Sequence, residues 1–317
     1  MSQTAELTTE LDFVEADLSY VVDDGQPSVR YIDWPEEAHN AHVPTYELRR
    51  VRIVNGRTAV ARYVARRSSK DGDRTEPAAV ARYVARRSSK DGDRTEPAAG
   101  ERFTLPTHGF TLVRHDTAVR DFYDEAEVLR VYYPEVERLI EAQTGAKRVV
   151  VFDHTIRTAD DGRHAERWIR QTVKSVHNDY TERSAPKRVR DILPDEADAL
   201  LQRRYGIVQV WRSIAPRVES QPLALCDGRS IPEVGFIRNE RRYRDRTAET
   251  YHISYNPAHR WFYFPYMTRN EALVFKVFDS DASAGVRYTA HTSFDDPTTR
   301  PDAKIRESIE MRAFAFY

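Results

Sequence analysis

The sequence predicts a double-stranded β-helix core of the jelly-roll or cupin-like type, mainly β within an α+β chain and flanked by helices. Three observations point there. Strand-like segments recur from residue 206 to the C-terminus with Pro, Gly, Asn or Asp turns between most of them. A helical stretch precedes them, which suits a barrel under a helical cover. Finally, two polar tripeptides, His177-Asn178-Asp179 and Arg306-Glu307-Ser308, place like-purposed groups two residues apart, the spacing that puts side chains on one face of a strand.

Taken in order, residues 1 to 58 are mixed. Leu18 to Val22 and Tyr46 to Val54 read as short strands, separated by the turn-like Asp23-Asp24-Gly25 and the Pro35 region. His39 and His42 fall in polar loop sequence and read as solvated. Residues 1–110 read as an N-terminal extension of a single domain spanning 1–317, with the helical cover and β-helix core over 111–317. Within the extension, AVARYVARRSSKDGDRTEPA at 59–78 recurs unchanged at 79–98. A solenoid needs at least three repeats to bury a continuous core, so two identical copies point to a duplication. Identical segments cannot fill one place in a core, and at least one copy is expected as a polar, mobile loop. Doubling such a loop costs only about 0.6 kcal/mol in closure entropy.

Asp116 to Thr144 reads as helical. Asp116 is the expected N-cap, Pro134 fits a first turn, Val136, Leu139 and Ile140 form the apolar stripe, and Gly145 is the stop. Lys147 to Thr158 alternates as a strand with Val149 and Val151 inward and His154 dependent on register. After the Asp160-Asp161-Gly162 turn, Gln171 to Tyr180 reads as the strand that carries His177 and Asp179. Arg183 to Ile192 and Pro194 to Tyr205 read as short helices. The strands that follow are expected at Gly206 to Ile214, Thr250 to Tyr255, Arg260 to Tyr266, Ala272 to Asp279, Val286 to Ser293 and Ile305 to Tyr317.

Composition narrows the chemistry. A formal charge of −1 from 49 basic and 50 acidic residues gives no global reason to bind nucleic acid or an anionic membrane. No apolar run approaches the roughly 18 to 20 residues of a membrane span, and the N-terminus lacks a basic start with an apolar core. A cytoplasmic protein acting on a small molecule is the expectation. Cys226 is the single cysteine, so any metal must be held by His, Asp or Glu.

His177 and Asp179 supply two of the three ligands of a two-histidine, one-carboxylate facial triad, which leaves positions open for co-substrates. The third is open among His291, His259 and His252. Arg306 and Ser308 rank His291 first. A 2-oxoglutarate-using iron site needs a fixed cation for the far carboxylate, and the planar guanidinium fork binds one with two parallel bonds. Arg306 follows His291 by 15 residues, enough for a loop and a return strand. No comparable pair follows His259, which trails the Asn256-Pro257 turn. The plain alternative is an ion pair of Arg306 with Glu310 or Asp302. Trp211, Arg212, Trp261 and Tyr263 are candidate cavity residues, and Arg212 and Arg312 candidate partners for an acidic group.

These residues carry a resemblance. From about Phe110 onward the chain resembles the AsaB/CmcJ-like hydroxylase/desaturase family, which includes a fungal gibberellin desaturase. The matching stretches include Val151-Phe-Asp-His-Thr-Ile-Arg157, Val176-His-Asn-Asp-Tyr-Thr181, His259-Arg-Trp-Phe-Tyr-Phe264, His291-Thr-Ser-Phe294 and Arg306-Glu-Ser-Ile-Glu-Met-Arg312. The resemblance implies non-haem Fe(II), 2-oxoglutarate as co-substrate, O2 and a natural-product substrate that is hydroxylated or desaturated. His177, Asp179 and His291 would be the metal ligands and Arg306 with Ser308 the co-substrate anchor. Two rivals stand beside it: a cupin-like metal hydrolase or isomerase with a metal-bound water, and a catalytically silent accessory protein.

Overall fold

The structure is a computed structural model and describes residues 11–31, 42–59, 103–160 and 169–317. Apart from Ala59, both copies of the 20-residue repeat lie outside the described residues, as do His39, Asp161 and Gly162. In chain order the strands are β1 (Phe13–Val21), β2 (Ser28–Tyr31), β3 (Tyr46–Asn55), β4 (Phe110–Arg114) and β5 (Arg148–Thr158). There follow β6 (Ile169–Arg170), β7 (His177–Asn178), β8 (Tyr205–Ser213), β9 (Leu223–Cys226) and β10 (Phe236–Arg242). The last are β11 (Thr247–Ile253), β12 (Trp261–Tyr263), β13 (Glu271–Asp279), β14 (His291–Ser293) and β15 (Glu307–Phe316). The helices α1 (Tyr133–Thr144), α2 (Ser184–Ile192) and α3 (Ala197–Leu200), with a short helical turn at Glu125–Glu127 ahead of α1, complete the frame.

Two facing sheets form the expected jelly roll. The larger runs β1-β3-β12-β9-β14-β7-β11-β10-β2 and the smaller β4-β13-β8-β15-β5-β6. β8, β13 and β15 are buried almost throughout, the pattern of strands covered on both faces. One face of the smaller sheet packs Val208, Val210, Val274 and Met311 under the Val136, Leu139 and Ile140 stripe of α1. The other packs Trp211, Leu273, Phe275 and Phe314 against Leu223, Leu225 and Phe262 of the larger sheet. Behind the larger sheet, Leu18, Tyr20 and Ile53 of β1 and β3 cover Val176, Ala224, Ile253 and Trp261. The segment before residue 110 therefore supplies three strands and a hydrophobic layer to the sheet that holds His177.

Several expectations are corrected. Asp116 caps no helix: Thr117 and Ala118 instead bond the Glu135 carboxylate at 2.6 and 2.9 Å and lie extended against α1. The helical run starts at Glu125, where the Asp124 side chain accepts from the Ala126 and Glu127 amides. A π-helical turn, Val128–Tyr132, leads into α1, which Gly145 ends in the left-handed region at φ 72°. The strand expected over 171–180 forms a ladder only at His177–Asn178, with an isolated bridge from Ser175 to Ser19, and that over 286–293 only at His291–Ser293. The second predicted helix is limited to Ala197–Leu200. β9 and β10 were not anticipated, because Leu223–Cys226 is short and Phe236–Arg242 is too charged to read as a strand by apolar alternation.

Candidate active site

β7 is two residues long, yet it sits between β14 and β11 and puts three histidines in one row. His177 is the registered partner of His291 on one side and of His252 on the other. Registered partners in a sheet share a face, and here it is the face turned toward the smaller sheet. His177 and His291 lie with ring centroids 4.4 Å apart. Asp179 follows directly after β7, and its Oδ1 is 3.4 Å from His177 Nε2. One ligand atom each from His177, Asp179 and His291 falls within 4.8 Å of the others.

The imidazoles are oriented by the backbone just before their strands. His177 Nδ1 meets the Ser175 carbonyl at 2.8 Å and His291 Nδ1 meets the Thr289 carbonyl at 3.2 Å. A carbonyl only accepts, so each Nδ1 carries the proton and each Nε2 presents a lone pair, the arrangement a metal-binding histidine needs. Burial, followed by the His177 charge, pushes the His291 pKa down to about 4, which keeps it neutral. The second oxygen of Asp179 is occupied: Arg312 Nε donates to Oδ2 at 2.9 Å, and the Gln209 amide donates to the same atom. Burial would raise this carboxyl, but Arg312 together with His177 and His291 outweighs it and holds Asp179 well below the usual carboxylate range. These donors fit an iron ion: two imidazole nitrogens, one anionic oxygen and, among the described residues, no competing partner on Oδ1 other than His177.

Arg306 borders the same cavity, together with Arg157, His177, Trp211, Leu223, His291, Ser293 and Glu310. It is 2% exposed and pairs with neither Glu310 nor Asp302: Nη1 donates to the Gln221 carbonyl at 2.7 Å and Ser293 Oγ at 3.2 Å, and Nε has no partner among the described residues. Glu310 is instead gripped by Arg157, at 2.8 and 3.0 Å, and by Arg312; Asp302 pairs with Arg300. Burial and the Arg157 charge bring the Arg306 pKa down to about 9, still protonated at neutral pH. Ser308 occupies the β15 position between Arg306 and Glu310, but its hydroxyl donates to the Arg157 carbonyl at a long 3.4 Å. The serine nearest the guanidinium is Ser293.

The other candidates lie elsewhere. His259 stacks on Tyr20 behind the larger sheet, where Trp261 Nε1 also bonds the Tyr20 hydroxyl at 2.7 Å. Trp261 and Tyr263 are core residues of that layer, not cavity residues. Arg212 is fully buried on the helix side of β8, bonded to the His115 and Arg269 carbonyls. His252 shares the row but is engaged by the Tyr46 hydroxyl at 2.7 Å. His154 bonds the Tyr133 hydroxyl at 3.0 Å. Gln209 was missed; its signal was a lone amide inside the apolar run Ile207-Val-Gln-Val-Trp211.

Comparisons with known proteins agree with this geometry. A family model described as an Oxidoreductase/YMDC permease-like domain matches residues 93–316. Among the described residues no helix is long and apolar enough to cross a membrane. An alpha-ketoglutarate-dependent dioxygenase, phiK, from a fungal species is 31% identical over 223 residues, 68% of this chain and 80% of that protein. The hydroxylase/desaturase CTB9 of Cercospora beticola is 31% identical over 237 residues, 68% of this chain and 72% of that protein. The solved structure of the iron and alpha-ketoglutarate-dependent endoperoxidase NvfI superposes with a TM-score of 0.75 at 23% identity, over 96% of this chain and 98% of that one.

Proposed function

We propose, from the premise that this chain belongs to the hydroxylase/desaturase family of iron- and 2-oxoglutarate-dependent dioxygenases, that His177, Asp179 and His291 hold its iron and Arg306 its co-substrate. The observation that carries the assignment is the convergence of three donor atoms within 4.8 Å, with both Nδ1 positions tied to carbonyls. Enzymes of this family act on small molecules of secondary metabolism, and this chain hydroxylates or desaturates such a compound. Iron(II) with 2-oxoglutarate and O2, when bound, supplies the oxidation of an unactivated C–H bond.

The protein's part is positioning and exclusion of water. Arg312 and Gln209 fill Asp179 Oδ2 and so leave Oδ1 as the ligand atom. Arg306, buried and charged with an unused Nε, offers the co-substrate's distal carboxylate a charge-assisted bond. Ser308 joins that anchor in the proposal; its present bond to Arg157 is long enough to exchange for a carboxylate oxygen. Trp211, Leu223 and Phe275 supply apolar walls, Phe275 with its ring centroid 4.9 Å from that of His291.

Anaerobic addition of Fe(II) and 2-oxoglutarate tests this. A visible metal-to-ligand charge-transfer band is expected, and Asp179→Ala should abolish it. Folded, iron-loaded protein without the band counts against the reading. His291→Ala should lose iron and His259→Ala keep it; the reverse result would remove His291 from the site.

A further inference from the structure

Arg30 on β2 and Arg241 on β10 are registered neighbours in the larger sheet. They share the face that carries the histidine row. His252 is registered with both His177 and Ile237, and Arg241 lies four residues beyond Ile237, which a period of two returns to the same face. Tyr46 closes the group: its hydroxyl meets His252 Nδ1 at 2.7 Å, and the Arg30 guanidinium lies 6.0 Å from its ring centroid. After burial, the largest influences on the Tyr46 hydroxyl are the charges of Arg30 and Arg241, and both also act on His252.

The arrangement is costly as it stands. Like charges on registered neighbours of adjacent strands repel. One residue along β10, on the opposite face, Arg242 is neutralised by Glu240 at 2.9 Å. Neither Arg30 nor Arg241 has a carboxylate partner among the described residues, and the Nε of each is buried without a hydrogen-bond partner. Buried donors are rarely left unused. Two unneutralised forks beside a tyrosine hydroxyl match the acceptor geometry of an oxyanion, and a planar carboxylate best of all.

We propose that Arg30 and Arg241, with Tyr46 and His252, form a subsite that binds an acidic group of the organic substrate. This rests on the assignment of His177, Asp179 and His291 as the iron centre, because the subsite gains its meaning from sharing their face. It fixes the class of substrate: an organic acid whose carboxylate is held away from the carbon that reacts. β10 is two strands from β7 and Arg241 lies four residues beyond the position registered with His177, so at about 4.8 Å per strand and 3.3 Å per residue the backbone of the acid subsite lies roughly 16 Å across the sheet from that of His177. The oxidised carbon is thus several bonds from the acid group.

Isothermal titration of the anaerobic Fe(II)·2-oxoglutarate protein decides the matter, with Arg306 already occupied by the co-substrate. The probes are benzoate, 2-naphthoate and octanoate, each against its methyl ester. At least one acid is expected to bind about tenfold or more tighter than its ester. Arg30→Gln and Arg241→Gln should each remove that preference, Arg241→Lys should retain part of it, and the charge-transfer band should be unchanged in all three. No acid binding, equal binding of acid and ester, or a preference that survives both glutamine variants overturns the proposal. Absence of the band with the acid preference intact would instead overturn the iron assignment alone.

Discussion

Asp179 is the residue whose surroundings say most about the site. Its Oδ2 takes two donors from the smaller sheet, Arg312 on β15 and Gln209 on β8, while Oδ1 faces His177. Groups that orient a ligand commonly account for about 10–100-fold in metal affinity. Arg312→Met is therefore expected to weaken Fe(II) binding by about that factor, measured by competition with a chromophoric chelator, and Gln209→Met to do so less because a charge is retained. Unchanged affinity in Arg312→Met would show that Asp179 is positioned without it. Single residues were unevenly legible. His177 and Asp179 could be picked out because their spacing matched a strand period, and Arg306 because a cation two residues from a serine suggested an anchor. Gln209 stood out only as a lone amide in an apolar run, and neither it nor Ser293 could be given a role, since nothing in sequence says which strand of the opposite sheet will face Asp179 or Arg306.

Elements were legible in proportion to their length. Tyr205–Ser213, Glu271–Asp279 and Glu307–Phe316 are long enough that apolar runs and flanking turns delimit them. β7 and β14, which carry the two histidines, are two and three residues long, and only neighbours distant in sequence pair them. The joint beneath β14 illustrates the dependence. Gly109 has φ 90°, a Cβ there would lie 2.2 Å from Thr289 Oγ1, and that hydroxyl donates to the Gly109 carbonyl at 3.0 Å. Thr289 in turn holds His291 through its carbonyl. Gly109→Ala combines strain in the left-handed region with a clash, an expected loss of about 1–3 kcal/mol. Urea unfolding should show that loss and Fe(II) titration a weaker site; a variant as stable as the parent would mean that the segment can shift without cost.

Across the molecule, burial of neutral imidazoles sets the response to acid. His115 and His259 are pushed down to about 4 and His252 to about 3, in each case mainly by burial. In the unfolded chain they titrate near about 6.5. Between about pH 6.5 and 4 the unfolded state then binds more protons, so stability rises with pH in that window and is lost as pH falls through it. Each such histidine contributes up to about 1.4 kcal/mol per pH unit. Glu310, held down to about 2 against burial by Arg157 and Arg312, extends the loss to lower pH, below the usual carboxylate range. Urea melts of the metal-free protein should show unfolding free energy dropping by several kcal/mol from pH 6.5 to 4. A flat profile would mean that these imidazoles are protonated without unfolding.

The tethers on His177 and His291 share one form: each Nδ1 reaches the carbonyl two residues earlier in the chain, just before its strand. The aim of each imidazole is thus written into a tripeptide, Ser175-Val-His177 and Thr289-Ala-His291, and does not depend on what packs around the ring. Such a ligand is portable. The cavity walls can be remodelled for a new substrate while the two tripeptides keep their lone pairs pointed at the same spot, so selectivity and metal geometry are free to evolve separately.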